Sequence, residues 1–357
     1  MSVIKGTPKF FYGALTPGGF KSFYDRIYNI DDGWRVCIIK GGPGSGKSTI
    51  MKKLADENVY KNPVIGLCAN DPDSFDAVIF PQEKFCVVDG TAPHIIEPKY
   101  PGICETVINT SDCWDEKKLC SNKNEILSLY HEKTTLHERA ARYTSAIGTL
   151  LNDNYRLTLD LTLTGKAACF ATSFAMREFG TKKEARGKED ICYISAMTPN
   201  GHILLEDTVH SLCGRVIAIE DEACAASRII LAVLREAALD SGFNIITCPC
   251  PFTVDEKIEH LLIPELSLAI CTSNRWHHIR NAERRIHSRR FTDIEKLRER
   301  KHKIAFNRKT ASELMNCAAV IMGEAKIVHN KIEKYYIDAM DFELLEGKYE
   351  KLRDDLK

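Results

Sequence analysis

RVCIIKGGPGSGKSTIMKKL, residues 35–54, places an apolar run, a glycine-rich turn and a helix-forming segment in immediate succession. An apolar run such as VCII is typical of a buried parallel strand, and STIMKKLADE after the turn is typical of a helix. Residues 41–49, which we call the glycine loop, match the phosphate-loop pattern G-x-x-x-x-G-K-[ST] in the setting that this pattern requires. The stretch therefore predicts an α/β fold with a phosphate-binding loop.

The residue types of the glycine loop suit contacts with a nucleotide. Glycines let successive backbone N–H groups converge on phosphate oxygens, and the helix that follows directs the positive end of its dipole at them. Lys47 is expected to contact the β- and γ-phosphates, and Ser48 to ligate Mg²⁺. The predicted nucleotide-binding residues are Gly41, Gly42, Pro43, Gly44, Ser45, Gly46, Lys47, Ser48 and Thr49.

A second apolar run offers the carboxylate that a magnesium–nucleotide site also needs. In FCVVDGTAPH, residues 85–94, four apolar residues lead into Asp89, and Gly90 permits a sharp turn. Ligands of open α/β sheets bind at this end of the strands, so Asp89 is predicted to hold Mg²⁺ directly or through water. His94 is a weaker catalytic candidate, for positioning water or an acceptor. A solvated loop is favoured for it and for three nearby carboxylates, Asp71, Asp73 and Asp76.

The quoted stretch has a counterpart 180 residues later. RVIAIEDEACAASRIILAVL, residues 215–234, aligns with it without a gap. Two further blocks keep the same order, since residues 13–19 match 195–201 and residues 77–89 match 260–272. Three blocks at nearly one offset indicate an internal duplication.

The second copy lacks the residues that would bind phosphate. Lys47 aligns with Ser227, and Asp89 aligns with Thr272. The acidic residues 220–222 would also repel a triphosphate at short range. We expect the second copy to keep the fold without a nucleotide site. The alternative is that its strand is a Walker-B-like strand that ends in carboxylates.

The segments FFYGALTPGGF, KGGPGSGKST and VVDGTAPHIIEPKYPG together resemble a little-characterised bacterial family of tandem P-loop ATPase-like proteins with long helical insertions. The resemblance covers most of the chain, and VDGTAPH is its most specific part. It implies two P-loop nucleoside-triphosphatase domains and ATP binding, but no established substrate. The second repeat departs from the family pattern, because TSNRWH replaces DGTAPH and the phosphate loop is altered. A second active site is therefore not expected.

These patterns predict two P-loop NTPase-like repeats with mainly parallel sheets, each followed by a long helical extension. The expected domains are residues 1–185, with an extension at about 115–180, and residues 186–357, with an extension at about 290–357. The charged residues 180–190 are expected to link the two domains.

The extensions carry apolar residues at coiled-coil-like spacing, with one break at Lys133 and none across residues 311–335. Residues 166–179 are expected to return against the first extension and residues 341–352 against the second. A helical layer over each sheet is favoured. The alternative is an arm for homodimerisation or for a partner protein.

Charge and composition exclude some partners. The chain has 49 basic and 49 acidic residues, so no global field attracts nucleic acid or membranes. Residues 275–309 are locally basic; a solvated face is favoured, and contact with nucleic acid, a phosphorylated ligand or the first repeat's nucleotide is the alternative. The 14 cysteines are expected to be reduced, and a zinc site at Cys248, Cys250, Cys271 and His277 is only weakly indicated. No signal peptide or membrane span is predicted, which favours a cytoplasmic protein.

The sequence predicts a Mg²⁺-dependent ATP-binding protein, best interpreted as an ATPase with one active site in the first repeat. Lys47, Asp89 and His94 are its candidate catalytic residues, and ATP is favoured over GTP. Three alternatives stay open: an ATP-gated switch without hydrolysis, a small-molecule kinase with an unknown acceptor, and a nucleic-acid-associated NTPase.

Overall fold

The structure is a computed structural model that describes residues 6–180, 183–253 and 257–356. We call residues 6–180 the first half and the remainder the second half. Each half contributes one six-stranded mixed sheet, and long helices connect and cover the sheets. The predicted α/β class is confirmed at this level.

The first half contains the strand–loop–helix unit that the glycine loop predicts. Its elements are β1 (Lys9–Phe10), β2 (Gly13–Thr16), β3 (Gly19–Ser22), β4 (Arg35–Lys40), α1 (Lys47–Glu57), β5 (Val64–Cys68), β6 (Asp71–Phe80), β7 (Phe85–Asp89), β8 (Glu105–Asn109), α2 (Glu116–Ser121), α3 (Lys123–Leu159) and α4 (Thr164–Glu178).

The second half repeats this succession with two differences in the described residues: a short helix, α5, precedes its central strand, and no counterpart of α2 precedes its long helix. Its elements are β9 (Glu189–Ile191), β10 (Ser195–Thr198), β11 (Gly201–Leu204), α5 (Glu206–Leu212), β12 (Arg215–Glu220), α6 (Ala225–Asp240), β13 (Ile245–Pro249), β14 (Ile258–Ile263), β15 (Leu268–Ser273), β16 (Arg284–His287), α7 (Ile294–Ala339) and α8 (Phe342–Asp355).

The two sheets share one topology. The first has the strand order β1-β5-β6-β7-β4-β8, and the second has β9-β13-β14-β15-β12-β16. Asp89 pairs with Ile39 in the first sheet, and Thr272 pairs with Ile219 in the second, as the sequence alignment requires. Both sheets are parallel around the strand that precedes the loop, whereas β6 and β14 run antiparallel to their neighbours. The antiparallel strands make the sheets mixed.

Apolar residues on both faces of β4 explain its continuous hydrophobic run. Cys37 and Ile39 join one core cluster, and Val36 and Ile38 join another on the opposite face. A strand that is covered on both sides has no solvent-facing positions to alternate. The carboxyl end of β4 therefore delivers the glycine loop from a fully buried support.

The helical extensions cross between the halves. Helices α3 and α7 run antiparallel: Tyr130 lies beside Tyr336 near one end, and Asn154 bonds to Asn307 near the other. At about 1.5 Å per residue, α7 is about 69 Å long, enough to carry the chain from the second sheet back to the first. Its apolar stripe packs against α3, so this predicted partner surface is buried within the chain.

The prediction that each extension folds back on itself is wrong. Helix α4 shares a core with α6 of the second half, where Phe174 and Leu231 belong to one cluster. Helix α8 packs on α1 of the first half, and Tyr349 joins the cluster of Met51 and Leu54. The apolar faces of α4 and α8 thus cover the opposite half. The predicted linker is described except for residues 181 and 182.

Candidate functional site

The glycine loop leads directly into α1. The helix begins at Lys47, and Gly46 caps it with φ of 79°. Gly44 has φ of 70°, and a Cβ atom there would lie 2.7 Å from the Glu333 carbonyl oxygen of α7. Glycine is therefore needed at position 44 both for the left-handed backbone and for the close approach of α7.

Lys47 and Asp89, two of the candidate catalytic residues, lie close together at the carboxyl end of the sheet. Lys47 Nζ donates to the carbonyl oxygens of Gly41, at 2.9 Å, and Gly42, at 2.8 Å, and lies 3.7 Å from Asp89 Oδ2. Ser48 Oγ accepts a hydrogen bond from the Phe75 backbone N–H. Asp89, one of the two predicted Mg²⁺ ligands, thus lies beside the ammonium group of Lys47.

Asp76, Asp89 and His94, which we call the triad, lie together beside the glycine loop. Their ligand atoms are all within 4.8 Å of one another, and each residue is less than a tenth exposed. Asp76 Oδ2 accepts a hydrogen bond from the Tyr24 hydroxyl at 3.1 Å, and the Tyr24 ring stacks on His94. Burial raises the pKa of Asp76, the charge of Asp89 raises it further, and His94 opposes the shift.

The predicted solvated loop is wrong for Asp76 and for His94, because both side chains are buried. The carboxylates of residues 71–76 belong to strand β6 rather than to a loop. Asp76 is buried, Asp71 forms an ion pair with Lys326, and Asp73 is exposed. The polar composition of DPDSFD, residues 71–76, did not indicate a strand, because the apolar run of this strand, AVIF, begins only at residue 77.

A cavity of about 610 Å³ is lined by the glycine loop, by the triad and by residues of α3 and α7. Its far wall includes Lys133 of α3, whose Nζ lies 2.9 Å from His329 Nδ1 of α7. Burial lowers the pKa of Lys133. Burial, aided by the charges of Lys133 and His329, also lowers the pKa of His137 to about 4. All nine predicted loop residues and the triad line this cavity.

Helix α7 also contacts the loop through Glu333. The Glu333 carboxylate lies 3.5 Å from His329 Nε2 and accepts a hydrogen bond from the Gly44 backbone N–H. The hydrogen bond from His329 is the main reason that the pKa of Glu333 is lowered. A carboxylate from the second half therefore occupies one N–H group of the glycine loop.

The sequence interpretation missed the helical wall of the cavity. Lys133 is the one interruption of the first apolar series, and that interruption was a usable signal. His329 and Glu333 gave no such signal, because helical spacing shows which face is buried but does not identify the helix that covers it.

The corresponding loop of the second half is filled by its own side chains. Residues 220–224, which we call the acidic loop, precede α6. Asp221 Oδ1 accepts from the Cys224 N–H at 3.0 Å, and Asp221 Oδ2 accepts from the Ser227 N–H at 2.8 Å. The cavity here has a volume of only about 30 Å³. Because β12 occupies the sheet position of β4, the acidic loop stands where the glycine loop stands in the first half.

The basic run, residues 275–309, contacts the acidic loop instead of the glycine-loop cavity. Arg275 and Arg308 each form an ion pair with Glu222, and Arg285 pairs with Glu220. None of the described residues that line the 610 Å³ cavity belongs to this run. The alternative that this run contacts the first repeat's nucleotide therefore has no geometric support.

Other metal and membrane expectations can be compared with the described ranges. In residues 6–180, 183–253 and 257–356, the triad is the one His, Cys, Asp or Glu group compact enough for a metal ion. The cysteines that suggested zinc are buried free thiols. None of the helices in these ranges combines the length and apolar character that crossing a bilayer requires.

No family model matches the chain, and neither a curated protein nor a solved structure matches it. The geometry around the glycine loop is therefore the basis on which a function can be assigned.

Proposed function

We propose that the first half binds ATP with a divalent cation and hydrolyses it, and that the second half is a structural or regulatory repeat without nucleotide. The observation that carries this proposal is the convergence of Lys47, the amino end of α1 and Asp89 on one cavity. A triphosphate needs many donors and a cation, and this arrangement provides donors together with oxygen ligands.

The residues present fit Mg²⁺ as the ion that accompanies ATP. The Ser48 hydroxyl and the Asp89 carboxylate are the oxygen donors that Mg²⁺ prefers. Mg²⁺ would supply charge neutralisation on the phosphates. Lys47 would exchange its bonds to the Gly41 and Gly42 carbonyls for phosphate oxygens and stabilise charge there.

Replacement of Lys47 tests this function. We expect Lys47→Ala to lower the rate of phosphate release from ATP by at least about 100-fold, because the ammonium group stabilises charge that develops in the transition state. Ser227→Ala changes the aligned position of the second half and should alter the rate by less than about twofold. Phosphate release and bound nucleotide are measured together, and circular dichroism confirms folding. Equal release from wild type and Lys47→Ala would refute hydrolysis at this site.

The contact of α7 with the glycine loop favours an ATP-gated switch as the second candidate. A phosphate that takes the Gly44 N–H must displace Glu333, and this would couple nucleotide binding to the helices that join both halves. Tight binding with negligible phosphate release, together with an ATP-dependent change in hydrogen exchange along α7, would support the switch over the ATPase.

A further inference from the structure

The triad has the properties of a metal site that does not depend on nucleotide. Its members come from three segments: Asp76 from β6, Asp89 from the end of β7, and His94 from the loop that follows. Their candidate ligand atoms lie within 4.8 Å of one another, although two of the three residues are buried carboxylates. Two buried carboxylates repel each other unless a cation lies between them or one of them is protonated.

His94 is the third member of the triad, and its ring makes no hydrogen bond among the described residues. Its Nδ1 atom is buried and has no hydrogen-bond partner among the described residues. Its Nε2 atom lies 3.8 Å from Asp76 Oδ2, which is beyond hydrogen-bond range. Nε2 faces the Asp76 carboxylate without a hydrogen bond to it, so this nitrogen is available to ligate an ion that lies between the two residues.

The carboxylates are oriented as metal ligands usually are. Tyr24 donates to Asp76 Oδ2, and the Thr91 backbone N–H donates to Asp89 Oδ1 at 2.9 Å. Such hydrogen bonds hold a carboxylate in one orientation, so that its other oxygen is correctly placed to ligate an ion. Lys47 approaches Asp89 but donates to the loop carbonyls, so it does not compensate Asp76.

The second half shows what a cation does at this place in the fold. Residues 77–89 match residues 260–272 at an offset of 183. At this offset, Asp76, Asp89 and His94 correspond to Glu259, Thr272 and His277. There Lys257 Nζ donates to Glu259 Oε2 at 2.6 Å.

The two halves differ in the charged partner of the equivalent carboxylate. Although burial alone would raise it, Lys257 and His277 hold the pKa of Glu259 well below its usual value. Ser74 stands at the position of Lys257 in the first half and brings no charge. The first half therefore keeps the carboxylate and the histidine but lacks the internal ammonium group.

We propose that Asp76, Asp89 and His94 bind a divalent transition metal ion, such as Mn²⁺ or Zn²⁺, before nucleotide arrives. The imidazole ligand favours these ions over Mg²⁺, which prefers an all-oxygen shell and retains its water. This ion is distinct from the Mg²⁺ that accompanies ATP, and Asp89 serves both. His94 then affects hydrolysis through the ion. The inference goes beyond nucleotide binding and does not require it.

Mn²⁺ binding to the nucleotide-free full chain tests the proposal. After treatment with a chelator, the protein is titrated with Mn²⁺, and the free ion is followed by electron paramagnetic resonance. We expect one Mn²⁺ per chain, retained in a hundredfold excess of Mg²⁺. His94→Gln and Asp76→Asn should each weaken binding by at least about tenfold. His137→Gln is the matched control, because His137 lines the same cavity outside the triad, and it should bind as wild type does.

Three results would overturn the proposal: no Mn²⁺ on folded wild type, undiminished binding by both folded triad variants, or ready displacement by Mg²⁺. Two variants are used because each alters a buried residue, and circular dichroism shows which of them is folded. A fluorescent ATP analogue is titrated into the same samples. Nucleotide binding without Mn²⁺ binding would refute this inference alone, and Mn²⁺ binding without nucleotide binding would refute only the proposed function.

Discussion

The glycine loop and the acidic loop occupy the same place in the same topology, and both hold a carboxylate. In the acidic loop the carboxylate is Asp221, a buried residue of the loop itself that accepts two N–H groups. In the glycine loop it is Glu333, which comes from a distant helix, is one-third exposed and accepts the Gly44 N–H. The amino end of a helix attracts an anion in both halves. The difference lies in whether that anion can leave.

The cation differs in the same way. Lys257 is buried and held by Glu259 in the second half, whereas the triad in the first half has no ammonium group at the corresponding position. The second half thus carries an internal anion and an internal cation at the places that correspond to the proposed nucleotide and metal sites of the first half. Under the proposed function, the second half keeps the fold without a nucleotide site because its own side chains replace the charges of the ligands.

Removal of the internal cation should give the largest effect. Lys257→Met leaves Glu259 buried without its ammonium partner, and we expect the free energy of unfolding to fall by about 3–5 kcal/mol. Urea unfolding followed by tryptophan fluorescence measures this change. The double variant Lys257→Met/Glu259→Gln should recover most of the loss, because it removes both charges.

The first half supplies the control for this prediction. Ser74→Ala changes the corresponding position, where no ion pair exists, and should cost less than about 1 kcal/mol. If Lys257→Met lowered the free energy of unfolding no more than Ser74→Ala does, the interpretation of Lys257 as an internal cation that stabilises Glu259 would be wrong.

Removal of the internal anion should have the next largest effect. Asp221→Ala leaves the N–H groups of Cys224 and Ser227 without their acceptor, and we expect a loss of about 1–3 kcal/mol in the free energy of unfolding. Glu222→Ala is the matched control, since Glu222 is half exposed and pairs with arginines at 3.6 Å or more. It should cost less than about 1 kcal/mol. Equal losses for both variants would show that Asp221 has no special role.

The sequence predicted the parts of this comparison that depend on local pattern. The fixed offset between the repeats was sufficient to predict two related sheets. The apolar run before the glycine loop and the position of Asp89 at the end of a second strand were sufficient to predict that Lys47 and Asp89 lie close together. The acidic loop was expected to repel phosphate, but its bonding to its own N–H groups was not predicted. That arrangement depends on a side-chain conformation that spacing does not specify.

The helical wall could not be predicted because it depends on long-range packing. An apolar stripe is satisfied by any complementary face, so the stripes of α3 and α7 were compatible with a homodimer, with separate layers or with the observed crossing. Glu333 is 289 residues from Gly44, and no local pattern relates the two. Residues from both halves therefore form the site, although the motif belongs to the first half alone.

Removal of the displaceable carboxylate should give the smallest effect. Glu333→Gln abolishes the charge that competes with phosphate for the Gly44 N–H, and we expect ATP affinity to rise about two- to fivefold, equivalent to about 0.4–1 kcal/mol. Glu324→Gln, an exposed residue of the same helix outside the cavity, is the matched control for net charge. Titration with a fluorescent ATP analogue at constant salt concentration measures the nucleotide affinity of both variants. A rise shared by Glu324→Gln would indicate a general charge effect, whereas a fall for Glu333→Gln alone would mean that α7 supports the nucleotide instead of competing with it.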